Sequence, residues 1–276
     1  MKSNITGGDT TLLFSARILN KYSVNYYRCN DTNFIQTEKP YWLNEAYSQA
    51  IANLDVGLVE RNFKLAPLTG RIIDKNFDHR GLFLDFAGGY GMFTRLMRDK
   101  GFNFYHTDKY CQNLFAEYFD ISCIGTGTPF ELITTFEVFE HLSNPIDEIA
   151  ELFSYSDNIL FSTELVPDKP IISAEDWWYF VPLIGQHIAF YTPAALQYIA
   201  QKNGAHFYTN GSNLHLFTKK ALASNPFAKK ARDPFLLRKL KRLVKKLENN
   251  VFIPHPSLMD HDSELIKEKI MAGNPG

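Results

Sequence analysis

Residues 85–91 read Asp-Phe-Ala-Gly-Gly-Tyr-Gly and follow the apolar run "GLFL". Gly88, Gly89 and Gly91 put three glycines within four positions. A loop poor in β-carbons accepts positive φ and lets backbone approach a ligand closely. Between a strand and a helix, such a loop holds its ligand at the carboxyl end of the strand, near a helix N-terminus. Asp108 closes the next strand-like run, "FNFYHTD". It lies about 20 residues beyond the glycines, the spacing of an acid that binds a ribose. A carboxylate can accept hydrogen bonds from both hydroxyls of a vicinal diol.

The loop does not have the G-x-G-x-x-G pattern of a dinucleotide site, and no G-x-x-x-x-G-K-[ST] phosphate loop occurs. Asp85 stands at the mouth of the turn. A pyrophosphate loop has no use for a carboxylate there, whereas a cationic ligand does. S-adenosylmethionine carries a sulfonium and an ammonium group, and so fits an acidic strand end beside a glycine turn.

The elements that must position these residues are legible in outline. Residues 1–40 hold short β-like pieces, "TLLFSA" and "SVNYYRC", and 41–78 carry apolar residues at helical spacing. From 80 to 220, strand-like runs ("GLFLDFA", "FNFYHTD", "ISCIG", "FELITTFEV", "NILFSTEL") alternate with helical ones. Gly204 is placed to end the helix "PAALQYIAQKN", and "AHFYTN" and "NLHLFTKK" close as a hairpin. The alternation predicts an α/β fold: a Rossmann-like, seven-stranded, mostly parallel sheet with an antiparallel final hairpin. The domains expected are an N-terminal β-hairpin and helical cap (1–78), a core (79–220) with an aromatic insertion (165–192), and a C-terminal extension (221–276). In the extension, Leu236, Leu240, Leu243 and Leu247 form one stripe of a basic amphipathic helix. That helix packs on the domain, or meets a membrane surface or an acidic partner.

With these residues the chain resembles the class I S-adenosylmethionine-dependent methyltransferases. Their first motif, D/E-x-G-x-G-x-G, is matched by Asp85, Gly89 and Gly91, with Ala87 in place of the first glycine. Alanine is tolerable there if its φ is negative. The resemblance implies cofactor contacts from Asp85, Ala87, Gly88, Gly89, Gly91, Asp108, Lys109 and Phe136. "ELITTFEVFEHLSNP" looks like the family's fourth-strand motif. "FIQTEKPYWLNEAYSQAI", "DVGLVERN" and "WWYFVPLIGQHIAFYTPAAL" resemble a bacterial subgroup found with glycosyltransferases in surface-polysaccharide loci. Many members of that subgroup begin with a four-cysteine zinc knuckle. The matching positions here are Ser3, Thr6, Cys29 and Thr32, and one thiolate candidate in four implies no zinc.

Methyl transfer is an in-line displacement that depends on alignment, and a hydroxyl acceptor gains from a general base. His187 or His141 is the expected base, and Glu137, at the end of the fourth strand, could face the cofactor or the acceptor. Glu140 is read as a tether for its loop, and a metal ion held by Glu137, Glu140 and His141 is disfavoured because adjacent loop side chains seldom converge. Ser143 is expected to cap the next helix. Trp177, Trp178 and Tyr179 offer faces on which sugar rings stack, and Gln186 can bond ring hydroxyls. Trp42, with Tyr41 and Tyr47, could cover the cofactor, and Arg61 could bind its carboxylate or pair with a surface acid. His106 is read as a core or edge residue.

The totals set bounds on this reading. The 276 residues carry a net charge of −1, which gives no bias toward nucleic acid. Three scattered cysteines fit a reducing compartment, and the N-terminus lacks a signal-peptide core, so a cytoplasmic location is expected. The expectation is an S-adenosylmethionine-dependent O-methyltransferase acting on a sugar or glycan. The basic helix would meet any glycosyltransferase or membrane-surface partner. Rival readings are a non-catalytic binding module, an N- or C-methyltransferase and a nucleotide-sugar oxidoreductase.

Overall fold

The computed structural model describes residues 1–47, 54–125, 127–228 and 255–272. The basic helix expected around 235–247 lies outside them. β1 (Thr10–Ile18) and β2 (Tyr22–Cys29) pair antiparallel across a turn in which Leu19 and Asn20 both have positive φ, 52° and 55°. Two left-handed residues match the right-handed twist of a hairpin. β3 (Ile35–Thr37) adds to β2, and a two-residue strand, β8 (Ala189–Phe190), adds to β3. The aromatic insertion thus returns to complete a small four-stranded antiparallel sheet. Phe14, Val24, Tyr26, Trp42, Trp177, Phe180 and Phe190 form its core.

The helix expected over 41–78 is split into α1 (Leu43–Ala46) and α2 (Leu58–Asn76). The larger sheet then follows: β4 (Leu82–Phe86), α3 (Met92–Asp99), β5 (Asn103–Thr107), β6 (Leu132–Phe136), α4 (Pro145–Leu152), β7 (Asn158–Ser162), α5 (Pro193–Lys202), β9 (His206–Thr209) and β10 (Leu214–Thr218). Its order is β5-β4-β6-β7-β10-β9; the first four strands are parallel, and β10 runs antiparallel to both of its neighbours. This is the expected Rossmann-like arrangement with six strands rather than seven. "ISCIG" forms a single 3₁₀ turn, Ile121–Cys123, beside one isolated bridge between His106 and Asp120. Ile121 and Ile124 pack against the core while Ser122 and Cys123 between them are exposed, a spacing of three that suits a tight turn and not the alternation of a strand. The helix α4 starts one residue later than expected. Asn144, not Ser143, is its N-cap, with Pro145 in the first turn and the Asn144 N–H bonded to Glu148 at 2.6 Å. Gly204, at φ +62°, follows the end of α5 as expected. No helix among the described residues is long and apolar enough to cross a membrane.

The four N-terminal positions do converge. Thr6 Oγ1 lies 3.5 Å from the sulfur of Cys29, which is itself buried. Burial alone would raise the Cys29 pKa, but hydrogen bonds from Ser3, Thr32 and Thr6 bring it down to about 7.

The C-terminal helix α6 (Met259–Met271) docks on α3 through charge. Asp262 is 2% exposed and accepts from Arg98 Nε at 2.8 Å and Arg98 Nη2 at 2.7 Å, with Arg95 adding a bond at 2.9 Å. Arg98 also donates to Asn103 and to the Phe104 carbonyl, and its guanidinium lies 3.6 Å over the Phe119 ring. Breaking a buried pair from one side leaves an uncompensated charge and typically costs about 3–5 kcal/mol. Asp262→Asn should therefore release α6 first. Hydrogen exchange should show lost protection over 259–271 while β4 and β6 stay protected; unchanged exchange in α6 would mean that apolar contacts hold the helix.

Candidate active site

The parallel strands β4, β5 and β6 end on one side of the sheet, and their carboxyl ends form the floor of a cavity of about 400 Å³. Asp85, Ala87, Gly88, Gly89, Asp108, Phe136, Glu137, His141 and His187 all line it. Asp85, one residue before the end of β4, is buried. Its carboxylate accepts from Thr134 at 2.9 Å and Thr94 at 3.3 Å, so it ties the turn to β6 and α3. Burial pushes its pKa up to about 6, against the pull of these hydroxyls and of His106.

The turn itself is left-handed at three positions: Ala87 at φ +54°, Gly89 at +59° and Gly91 at +81°. Alanine was read as tolerable there if its φ were negative; it holds the glycine-like conformation, at a cost of order 1 kcal/mol. A β-carbon on Gly88 would collide with the Asp85 carboxylate, and one on Gly91 with Asn113. His106 locks the loop from below. One ring nitrogen meets the Gly89 carbonyl at 2.9 Å and the other meets Asp120 at 3.2 Å. Asp108 Oδ2 accepts from the Gly89 N–H at 2.9 Å, and Oδ1 from the Tyr110 and Cys111 N–H groups at 2.7 Å each. Three of roughly four lone-pair directions are engaged, leaving capacity for a ligand hydroxyl. The bare glycine turn and the Asp108 carboxylate, both facing the cavity, fit the nucleoside part of S-adenosylmethionine.

Glu137 follows β6 in a left-handed conformation, φ +56°. A non-glycine residue held there stores strain, a common mark of functional positions. Ser162 fixes it twice: its Oγ–H donates to the Glu137 carboxylate at 2.6 Å and accepts the Glu137 N–H at 2.9 Å. Burial, then the charge of Glu140, raises the Glu137 pKa to about 7. Arg61 also faces the cavity, but its guanidinium already makes a two-pronged ion pair with Asp55 at 3.0 and 2.6 Å.

His141 and His187 come together from distant segments, with ring centroids 5.1 Å apart. His141 Nδ1 bonds the Gln186 carbonyl at 3.0 Å and His187 Nδ1 bonds the Tyr179 carbonyl at 2.7 Å. A carbonyl only accepts, so in each neutral ring Nδ1 carries the proton and Nε2 the lone pair. Burial, then the neighbouring His141, lowers the His187 pKa to about 3. His187 is therefore neutral near pH 7 and a weaker base than its residue type suggests.

Of the other expected site residues, Trp178 is 70% exposed and lines the cavity, as do Tyr179 and Gln186. Gln186 also donates to the Ala46 carbonyl at 2.9 Å. Three expectations need correction. Trp177 is 7% exposed and packs in the small sheet's core, with its ring 5.2 Å from that of Phe180. Trp42 is 1% exposed and donates its indole N–H to the Gly185 carbonyl at 2.8 Å, so it anchors the insertion and covers no cofactor. Lys109 is exposed and lies over the Tyr110 ring, 5.4 Å from its centroid, rather than lining the cavity. Unforeseen from sequence are the Tyr47–Tyr110 stack at 5.4 Å and 11°, Ser162, Asp55 and the locking role of His106. Histidine in a strand beside a glycine turn was the one available signal for the last.

The model of a methyltransferase domain matches residues 60–208, more than half of the chain. No curated protein sequence matches significantly. Among solved structures, an O-methyltransferase family 2 protein from Planctomyces limnophilus, in complex with apigenin, is 16% identical with a TM-score of 0.45; the match covers 64% of this chain and 65% of that one. The mitomycin 7-O-methyltransferase MmcR is 12% identical with a TM-score of 0.40, over 65% of this chain and 60% of that one. The chain spans somewhat less than two thirds of these proteins' lengths. The fold, the glycine turn with its two acids and the family match agree: the chain belongs to the methyltransferase-domain family.

Proposed function

We propose that the protein methylates a hydroxyl of a sugar or glycan. The observation that carries this is Glu137: strained, raised to about pKa 7, and set in the same cavity as the glycine turn and Asp108. S-adenosylmethionine, when bound, would supply an electrophilic methyl group on sulfur. Asp108 and the turn hold the nucleoside, the exposed Trp178 face and the two imidazoles hold the acceptor, and Glu137 takes the hydroxyl proton as the oxygen–carbon bond forms. A carboxylate titrating near the working pH is suited to that role. In this reading His187, whose pKa burial lowers to about 3, is too weak a base, and the Nε2 lone pairs of His187 and His141, the bases expected from sequence, accept hydrogen bonds from the acceptor. The resemblance to the polysaccharide-locus subgroup supports a cytoplasmic step in surface-glycan synthesis, and the hydroxyls around Cys29 support a zinc knuckle reduced to hydrogen bonds.

Asp108→Ala should weaken S-adenosylhomocysteine binding about 100-fold in calorimetry, the loss of charged hydrogen bonds to a diol. Unchanged affinity would remove the ribose from Asp108.

Glu137→Gln should keep product binding and lower turnover by roughly 10²–10⁴. A matching test needs no acceptor. The native state holds the Glu137 proton up to about pH 7, whereas the unfolded chain releases it near its ordinary value of 4.5. The Glu137 contribution to stability is therefore fully present below the unfolded value and is lost as pH rises through about 7. Relative to wild type, Glu137→Gln should gain about 3 kcal/mol between pH 4 and 8. Parallel denaturation curves across that range would show that Glu137 does not titrate as argued.

In cells, deletion should remove one methyl from the surface polysaccharide by mass spectrometry. An unchanged glycan would exclude that acceptor.

A further inference from the structure

Beneath the imidazole pair lies a buried acid that the methyl-transfer reading does not use. Glu140 is fully buried, and neither of its carboxylate oxygens has a hydrogen-bond partner. Of the phenols that share this region, the Tyr191 hydroxyl donates to the Phe139 carbonyl at 2.9 Å, and the Tyr179 hydroxyl, 3.4 Å from Thr163 Oγ1, is shared between that oxygen and the Glu140 carboxyl group. Arg61, whose charge is felt by both Glu137 and Glu140, is paired with Asp55. A buried carboxylate with no close hydrogen bond and one shared phenol nearby is costly and calls for a proton or a cation.

Glu140, His141 and His187 each offer one ligand atom, and these atoms all lie within 4.8 Å of one another. Each imidazole donates its Nδ1–H to a backbone carbonyl, which leaves Nε2 as the lone-pair nitrogen and fixes the ring. Metal-binding histidines are held in this way. The two carrier segments are also joined by the Ile188 N–H, which donates to the Glu140 carbonyl at 2.8 Å. The three side chains are therefore presented by a fixed frame, and modest rotations would bring them onto one ion at the usual 2.0–2.2 Å, about the length of zinc bonds to nitrogen and oxygen.

We infer that Glu140, His141 and His187 form a binding site for a divalent transition-metal ion at the floor of the acceptor side of the cavity. Two imidazoles and one carboxylate suit zinc, iron, cobalt or nickel better than magnesium or calcium. Three protein ligands leave open positions. His141 and His187 line the cavity, so those positions face it and take oxygens of the acceptor. That last role rests on the methyltransferase reading; the metal site itself does not.

The test uses the full chain with all three cysteines changed to serine (Cys29→Ser, Cys111→Ser, Cys123→Ser), which excludes thiolate ligands. After chelation, Co(II) is titrated and its visible d–d absorption followed, with Zn(II) as competitor. A single saturable equivalent, displaced by Zn(II) and weakened at least about 100-fold in both Glu140→Gln and His187→Gln, is expected, since loss of a direct ligand exceeds the 10–100-fold cost of losing an outer partner. S-adenosylhomocysteine calorimetry on each variant confirms that the fold persists. No Co(II) equivalent in the parent, or unchanged Co(II) affinity in the two folded variants, overturns the site. Co(II) binding in a protein that does not bind S-adenosylhomocysteine would uphold the metal site and sink the methyltransferase reading instead.

Discussion

The Ile188 N–H donates to the Glu140 carbonyl at 2.8 Å, and that bond joins the two sheets at the site. Glu140 sits in the turn after β6 of the large sheet, and Ile188 leads into β8 of the small one. His141 reinforces the seam by bonding the Gln186 carbonyl, and Tyr191 does so by bonding the Phe139 carbonyl. Without the seam, the strand ends would still present a nucleoside-sized shelf, but the wall bearing His187, Tyr179 and Trp178 would have no fixed place above it. The small sheet is thus part of the active-site frame. Its aromatic core holds the insertion in the one conformation that sets two imidazoles 5.1 Å apart.

Much of the cofactor side was legible because its signals are local. A glycine turn between a strand and a helix, an acid at each strand end and the fixed length of the unit between them place Asp85, Gly88, Gly89 and Asp108 together. The strand alternation predicted the parallel sheet and its closing hairpin, and it failed at 121–125. There, Asp120 bonds His106 and Asn113, and Ile121 and Ile124, three apart, both turn to the core from a single 3₁₀ turn instead of alternating as a strand would. The same locality explains the miss at Ala87. The conformation of one residue is set by what surrounds it, and here the loop is tied by Asp85, His106 and Asp108 strongly enough to hold an alanine at φ +54°.

The wall of the cavity that the insertion builds was less legible because its contacts join distant residues of similar type. "WWYF" contains four aromatics that composition cannot tell apart. The fold sends Trp177 and Phe180 into the small sheet's core, holds Tyr179 at the floor and leaves Trp178 at the mouth. Tyr47 and Tyr110 stack across 63 positions of sequence, and no spacing rule reaches that far. The histidines were recognised as chemical, but their role depends on which nitrogen is bound and by what, and backbone carbonyls elsewhere in the chain decide that.

Charge sets a further constraint on what the cavity accepts. Asp85, Asp108 and Glu137 line it, Glu140 lies buried beneath, and the cation among the lining side chains, Arg61, is shared with Asp55. Such a set favours a sulfonium, an ammonium or a metal cation and repels phosphate, most strongly where water is excluded. Burial answers part of the repulsion by raising Asp85 and Glu137, so that the cavity loses protons as it fills with positive charge. An acceptor carried on a nucleotide or lipid diphosphate therefore has to place its sugar hydroxyl inside and its phosphates outside. The exposed face of Trp178 stands at that boundary, where a sugar ring can stack while its charged carrier stays in water.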